Sequence, residues 1–409
     1  MKQNTRLKFA RMDAGLTQEE LADLLGVSSI TVYRWERGEH HPNPYFCGRL
    51  CRLFNVSEQE LGLQERQEEE ARSRDDVAFL VDPWLPAGKT PPIGQQSLLQ
   101  EIGHSHHRVL GLTGLPGSGK TLLAQALGGL PEIRQQTDGI LWATMSQESR
   151  PLRHLQRWIM LLGGDAVPEH LEEAQDRLRV LLRGRKMVMV LDDLWHAEDI
   201  APYQLGSHCR TVVTTRLPVV ANTVCDHIFH PRPLTESQAF HLLSNGLPIT
   251  LVREHREILR ALCQQVGNLP LAVEQIGKYL RREARTSSPR RFQEALTSLF
   301  QPTSYLHLPL PSDASSLAVS IKRSEGWLSV SAQQALCTLA FLLPTAPATF
   351  AERQVTDLIQ TSRQFQLHDF DQLVDVGLLS ITAKNRYQIH PVIAAFARLL
   401  AKKEPEIIE

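Results

Sequence analysis

The 409-residue chain carries 44 Lys and Arg against 45 Asp and Glu, a formal net charge of −1, with 42% hydrophobic residues. This length predicts two or three compact units of ordinary globular composition, and the balanced charge excludes a generally basic nucleic-acid binder, so any DNA contact has to be local. Six dispersed cysteines with no C-x-x-C pair predict reduced thiols, and with no apolar leader behind Met1 to Ala10 and no run of 18 apolar residues, a soluble cytoplasmic protein with no membrane attachment is expected.

Residues 4 to 62 show short apolar helical patterns interrupted at Gly15, Gly26, Gly38 and Pro42, which predicts a bundle of four or five helices. Within it, Thr17 followed by Glu20 suits a capping box, Gly26 a left-handed turn, and Ser28 the cap of a second helix. Ala22 is small where two helices must cross, and Val27, Val32 and Trp35 are expected to face the core. From Gln64 to Asp76 nine of thirteen residues are charged, so 63–80 is read as a solvated helical linker. Four prolines between Asp82 and Pro92 then predict an extended entry into the next unit.

From Arg108 the pattern alternates. Apolar runs at Val109–Thr113, Ile140–Met145, Met187–Leu191 and Thr211–Thr215 alternate with helical patterns such as Thr121–Leu127, Leu152–Leu162 and Leu171–Leu182. This predicts a parallel sheet covered on both faces over 81–234. Residues 235–300 read as helical, Ser287–Pro311 as broken by prolines and serines, and 317–402 as mostly helical with one hairpin around Leu378–Ile389. The fold class expected is therefore multidomain α/β plus all-α.

Gly114-Leu115-Pro116-Gly117-Ser118-Gly119-Lys120-Thr121 satisfies G-x-x-x-x-G-K-[ST], and it follows a strand and opens a helix. Glycines let backbone N–H groups converge on an anion, and the helix N-terminus adds partial positive charge. Lys120 is assigned to phosphate oxygens, Thr121 to Mg²⁺, and Leu122 to the edge of the same site. The apolar run 187–191 ends in Asp192 and Asp193, at the strand end where open α/β sheets bind ligands. Asp192 is the candidate Mg²⁺ partner, Asp193 the candidate base for an attacking water, and Arg216, after 211–215, a candidate reporter of a terminal phosphate.

In order, GLPGSGKT, VLDDLW (190–195), TVVTTR (211–216), GNLPLA (267–272) and YQIHP (387–391) resemble the NB-ARC branch of the STAND signal-transduction P-loop NTPases over roughly residues 81–400. The resemblance implies a nucleotide-binding domain at 81–234, a helical domain at 235–300 and a winged-helix domain at 301–409, closed around ADP at rest and opening to a homo-oligomer with ATP. It further implies that Ile93 and Gly94 edge the adenine, that Pro270 packs against it, and that His390 reaches the β-phosphate. Gln95-Gln96 stand where many relatives have Arg-Glu, and Ile389-His390-Pro391 replaces Met-His-Asp. No glutamate follows Asp192 in the acidic motif, so at most slow ATP turnover is expected. Relatives usually carry a repeat array after the winged helix, so a sensor that is absent, lost or supplied by a partner in trans is a further expectation.

Leu16 to Gly38 resembles the phage-repressor (XRE) class of helix-turn-helix. That class places the start of its second helix in the major groove of double-stranded DNA, which carries DNA contacts over to Gln18, Ser28, Ser29, Ile30 and Arg34. Over residues 1–62, eight basic residues meet eight acidic ones, so a single copy is expected to hold DNA weakly. Two functions remain open: a DNA-binding transcription regulator, and a defence or stress-signalling adaptor whose helical bundle recruits protein. The histidines at 40–41 and 104–107 read as solvated loops, Cys47 and Cys51 as core, and the run Arg281 to Arg291 as a solvated face.

Overall fold

In a computed structural model, the described residues run from 5 to 403, apart from 26, 39–41, 43, 55, 57–60, 62–78, 87–91, 146–149, 165–167, 286–288, 302, 309–316, 343–347, 352, 355–365, 383 and 385. Gly26, His40, His41 and the expected charged linker up to residue 78 lie outside them. The chain divides into two compact units, Met1–Ala78 and Phe79–Glu409.

The first unit contains α1 (Thr5–Asp13), α2 (Gln18–Leu25), α3 (Ser29–Glu36) and α4 (Pro44–Phe54). Leu7, Leu21, Leu25, Val32, Trp35 and Leu50 form its core. The capping box before α2 is made on both sides: Glu20 N–H donates to Thr17 Oγ1 at 3.1 Å and Thr17 N–H to Glu20 Oε2 at 2.7 Å. Ser28 caps α3 by accepting from Thr31 N–H at 3.2 Å. A buried ion pair ties α1 to α3, Arg11 Nε donating to Glu36 Oε1 at 2.5 Å while Arg11 Nη1 donates to Leu16 O at 2.7 Å.

The second unit begins with β1 (Leu80–Val81), α5 (Gln96–His104), β2 (Val109–Thr113), α6 (Lys120–Ala126), α7 (Pro131–Gln136), β3 (Gly139–Thr144), α8 (Pro151–Leu161), α9 (Leu171–Leu181), β4 (Met187–Asp192), β5 (Arg210–Thr215), α10 (Pro218–Val224) and β6 (His227–Phe229). The six strands form one parallel sheet in the order β1-β3-β4-β5-β2-β6. Its four inner strands are buried along almost their whole length, as continuous apolar runs with helices on both faces require. The edge strands β1 and β6 go beyond the sequence expectation, because two or three residues carry no usable period.

The helices α11 (Glu236–Ser244), α12 (Ile249–Glu254), α13 (Arg256–Gln265), α14 (Pro270–Ala284) and α15 (Pro289–Leu299) follow. α15 corrects the reading of 287–311 as broken chain. Pro289 is its first residue, where a missing N–H costs no helical bond. Then come α16 (Leu317–Glu325), α17 (Val330–Leu342), β7 (Ala348–Ala351), α18 (Leu367–Asp375), β8 (Leu379–Ile381), β9 (Arg386–Ile389) and α19 (Pro391–Lys403). The expected hairpin is β8–β9, and β7 adds a third antiparallel strand in the order β7-β9-β8. One apolar core runs without a break from the sheet through α13 and α14 into α17 and α19. Among the described residues, no helix is long and apolar enough to cross a membrane.

Candidate functional site

The loop between β2 and α6 stands at the C-terminal edge of the sheet because it leaves the C-terminal end of β2, an inner strand of the parallel sheet, and leads into α6. Gly117 has φ +82, and a Cβ there would stand 2.8 Å from Leu271 Cβ, so the loop can only seat against the start of α14 without a side chain at that point. Leu271 N–H donates to Gly117 O at 3.2 Å across this contact. Lys120 is buried, and its Nζ donates to the carbonyls of Gly114 at 2.7 Å and Leu115 at 3.0 Å. Burial pushes the Lys120 ammonium down to about 7, with Arg216 adding to the effect and Asp193 and Asp192 opposing it.

A cavity of about 580 Å³ opens over this loop. Pro116, Gly117, Ser118, Gly119, Lys120, Thr121 and Leu122 line one side, Ile93 and Gln95 another, and Leu242, Pro270, Leu271 and Glu274 of α11 and α14 a third. Gly114 and Leu115 stand behind the lining and take part through the carbonyls that hold Lys120. The lining combines polar groups at the loop with apolar side chains away from it, which suits a ligand with an anionic end and a flat apolar end.

The acidic residues at the end of β4 have different environments. Asp192 is buried and its Oδ1 accepts from Thr121 Oγ1 at 2.8 Å and Thr214 Oγ1 at 2.7 Å. Burial pushes its carboxyl up, and these two hydrogen bonds oppose that. A hydroxyl and a carboxylate side by side, with Ser118 Oγ enclosed in the same loop without a hydrogen-bond partner, fit a hard divalent cation shared with phosphate oxygens. Asp193 turns away at φ +61 and pairs with Arg216, whose Nε donates to Asp193 Oδ1 at 2.9 Å. The candidate base and the candidate phosphate reporter are thus each other's partners, and Arg216 Nη1 also donates to Ser320 O of α16 at 2.7 Å.

Ile93, Pro270, Asp193 and Arg216 all line the cavity, together with the loop from Pro116. His390 is not among the lining residues. Its ring sits at the start of α19, against Gly267, where its Nδ1 accepts from Val392 N–H at 3.3 Å and its Nε2 is enclosed beside the Gly267 backbone. Thr214 and Glu274 were not singled out from sequence, and Gln95 was named there only as a departure from the family pattern. Thr214 was legible as the polar residue before Thr215-Arg216, whereas Glu274 needs the knowledge that α14 faces the loop. Among the described residues no group of three or more His, Cys, Asp or Glu gathers to hold a metal.

In the first unit, Ser28, Ile30 and Arg34 are exposed and Ser29 is half-buried, so these side chains lie on the outside of α3 and its N-cap. Gln18 instead donates from Nε2 to Glu36 Oε2 at 2.7 Å, which holds its amide against the Arg11–Glu36 pair.

Residues 95–247 match the NB-ARC domain and residues 7–61 a helix-turn-helix family. Two relatives from Arabidopsis thaliana are the probable disease resistance protein RF45, 28% identical over 218 residues covering 48% of this chain and 21% of that protein, and the disease resistance protein RPP13, 26% identical over 210 residues covering 47% and 25%. The chain thus spans about a fifth to a quarter of the length of these curated relatives. Similar solved structures include the Walker-type ATPase paby2304 of Pyrococcus abyssi, with a TM-score of 0.49 and 12% identity over 75% of this chain and 96% of that one. Another is the STAND protein PH0952 with a tetratricopeptide repeat sensor from Pyrococcus horikoshii, with a TM-score of 0.28 and 14% identity over 77% and 44%. The chain is a P-loop protein with an NB-ARC domain, joined behind an N-terminal helix-turn-helix domain.

Proposed function

We propose that this protein is an ADP/ATP-gated switch whose cavity takes an adenine nucleotide with Mg²⁺. The observation that carries this reading is the composition of the cavity wall. The phosphate loop supplies one side, while α11 and α14, from the helical segment after the sheet, supply another through Leu242, Pro270, Leu271 and Glu274. A ligand bound at such a junction has an affinity that depends on how the two parts are arranged, which is the condition for a population shift. The charge of Mg²⁺, when bound, would neutralise phosphate oxygens, and Thr121 and Asp192 are the groups that would hold it.

In this reading the domains are a helix-turn-helix at 1–62, a linker at 63–80, the nucleotide-binding domain at 81–234, a helical domain at 235–300 and a winged helix at 301–409. The three-stranded sheet β7-β9-β8 among α16 to α19 supports the last assignment. His390, whose enclosed Nε2 lies against Gly267, is the group whose contacts differ between arrangements. ATP binding opens the chain and allows self-assembly, which aligns several copies of α3 on double-stranded DNA and overcomes the weak phosphate attraction of one neutral module. Hydrolysis, through Asp193 and Arg216, resets the switch slowly.

Native mass spectrometry and fluorescent-nucleotide binding on the full chain test this reading. Binding of labelled ADP that Lys120→Ala abolishes, with a larger assembly formed only on a non-hydrolysable ATP analogue, is expected. A monomer under both nucleotides would contradict the assembly step. The second reading, an adaptor whose helical bundle recruits protein, is favoured by the exposed apolar side chains Phe9, Met12 and Ile30 and by the cancelled charge of residues 1–62. Duplex binding that is absent at low salt with either nucleotide would select it.

A further inference from the structure

Helix α1 carries apolar residues on both of its faces. Leu7 and Arg11 turn inward, Leu7 into the core of the first unit and Arg11 onto Glu36. On the opposite side Phe9 is 69% exposed and Met12 56%. An open concavity of about 490 Å³ lies along that side, lined by Arg6, Phe9, Ala10, Met12 and Asp13. Arg6, Phe9, Ala10 and Asp13 stand at positions i, i+3, i+4 and i+7, which form one stripe of the helix. The stripe has a cation at one end and a carboxylate at the other, with a large ring beside a small methyl group between them. Arg6 and Asp13 also run against the polarity of their own helix, which favours acid near its N-terminus and base near its C-terminus.

We propose that this stripe is an interface for a second copy of the chain, in which two α1 helices pack antiparallel about a two-fold axis. With the axis between residues 9 and 10, Arg6 of each copy meets Asp13 of the other, and Phe9 of each covers Ala10 of the other. The charge pattern selects this occupant. An antiparallel copy supplies the opposite charge at both ends and the small residue opposite the ring, all from the same stripe. Its reversed dipole also offsets the unfavourable placement of Arg6 and Asp13. The nine residues of α1 span about 13 Å, so the pair covers less than the roughly 1,200 Å² of a standard stable interface. The dimer is accordingly weak among free chains and becomes stronger wherever copies are already held together. Gln18, Ser29, Ile30 and Tyr33 line a separate concavity that shares no residue with this stripe, so pairing does not use the exposed residues of α3. The interface goes beyond the switch reading, because it joins first units and needs no nucleotide.

Sedimentation equilibrium of the full chain from about 5 to 500 µM, without added nucleotide, tests the pairing. The wild type is expected to dimerise with a dissociation constant of about 100 µM. Arg6→Glu and Asp13→Arg are each expected to weaken this at least about fivefold, since each sets like charges together at both ends of the stripe. Mixed in equal amounts, the two variants are expected to regain wild-type association, because the mixed pair again has opposite charges at both ends. The double variant Arg6→Glu/Asp13→Arg is expected to regain it alone. A wild type that stays monomeric throughout leaves the stripe to a different protein and overturns the proposal. Self-association that neither swap alters, or a mixture no better than its components, also overturns it. So does an Arg6→Glu chain that loses random-duplex binding while its self-association is unchanged, which would assign Arg6 to the DNA backbone. Should Arg6→Glu fail to fold, Asp13→Arg and Phe9→Ala carry the test, each expected to weaken dimerisation at least about fivefold. None of these measurements uses nucleotide, so a failure of the switch reading leaves their outcome unchanged.

Discussion

His390 and Gly267 are packed so closely that a methyl group on Gly267 would stand 2.6 Å from His390 Nε2 and 3.1 Å from Pro391 Cδ. This contact joins the turn between α13 and α14, which leads into the cavity wall, to the first residues of α19. Gly267 also has φ +58, a conformation that costs any residue with a Cβ. Gly267→Ala is therefore expected to lose about 2 kcal/mol in urea unfolding, from backbone strain and the displaced ring together. His390→Ala in the same chain should return part of that loss. Additive losses in the two single variants and the double variant would show that the ring and the glycine do not interact.

The same contact makes stability depend on acid. Burial pushes the His390 imidazole down to about 4, with the Gly267 backbone opposing it, against 6.5 for an open histidine. The unfolded chain therefore binds this proton more readily than the folded one, so stability falls as pH is lowered from 6.5 towards 4 and is complete above 6.5. The loss at pH 4 is up to about 3 kcal/mol. Comparing unfolding of wild type and His390→Gln across pH 4 to 7 isolates this group. The wild-type curve is expected to fall away from that of the variant below 6.5, and parallel curves would count against a neutral, enclosed ring.

The phosphate loop, the acidic strand end and the four inner strands were legible because each is a local pattern: a glycine spacing, a five-residue apolar run, a carboxylate pair. Positions that depend on packing between distant segments were not. Trp195 and Trp327, whose rings stack, are 132 positions apart, and nothing in the surroundings of either residue tells that they meet. Arg216 shows why chemistry alone is incomplete, since its role was read from its strand but its tie to Ser320 required knowing where α16 lies. The packing of His390 was not legible for a related reason. Its motif carries a role that exists only when a bound ligand and a particular domain arrangement coincide, whereas the packing on Gly267 is fixed by Pro391 and Val392 at the start of α19.

Thr214 has the clearest unassigned positioning role. It is buried, donates to Asp192 Oδ1 at 2.7 Å and accepts from Asp193 N–H at 2.9 Å, so it holds the carboxylate toward Thr121. Thr214→Val keeps the volume and removes both bonds, leaving the Asp193 N–H without its acceptor. A stability loss of about 1 to 3 kcal/mol is expected from the buried unsatisfied group. Nucleotide affinity measured with Mg²⁺ should fall about tenfold, while affinity in the presence of a chelator should change little. An equal drop in both conditions would place Thr214 in the fold alone.

Arg34 is exposed on α3 and is the one residue among the carried-over DNA contacts whose fork can bind a guanine edge through two hydrogen bonds. Gln18, by contrast, already gives its Nε2 to Glu36, so a phosphate would have to compete with an ion-paired carboxylate for it. If α3 reads bases, Arg34→Ala should weaken a selected duplex by about tenfold or more and a random duplex far less, since a guanine contact is worth about 1 to 3 kcal/mol of discrimination. Because the module's charges cancel, binding of a single copy should be weak, and its salt slope should reflect only a few phosphate contacts. Assembly on an ATP analogue should steepen that slope, as several modules then engage one duplex. A slope that is the same with ADP and with the analogue would separate DNA binding from the switch, and equal losses of selected and random duplex in Arg34→Ala would reduce Arg34 to a phosphate contact.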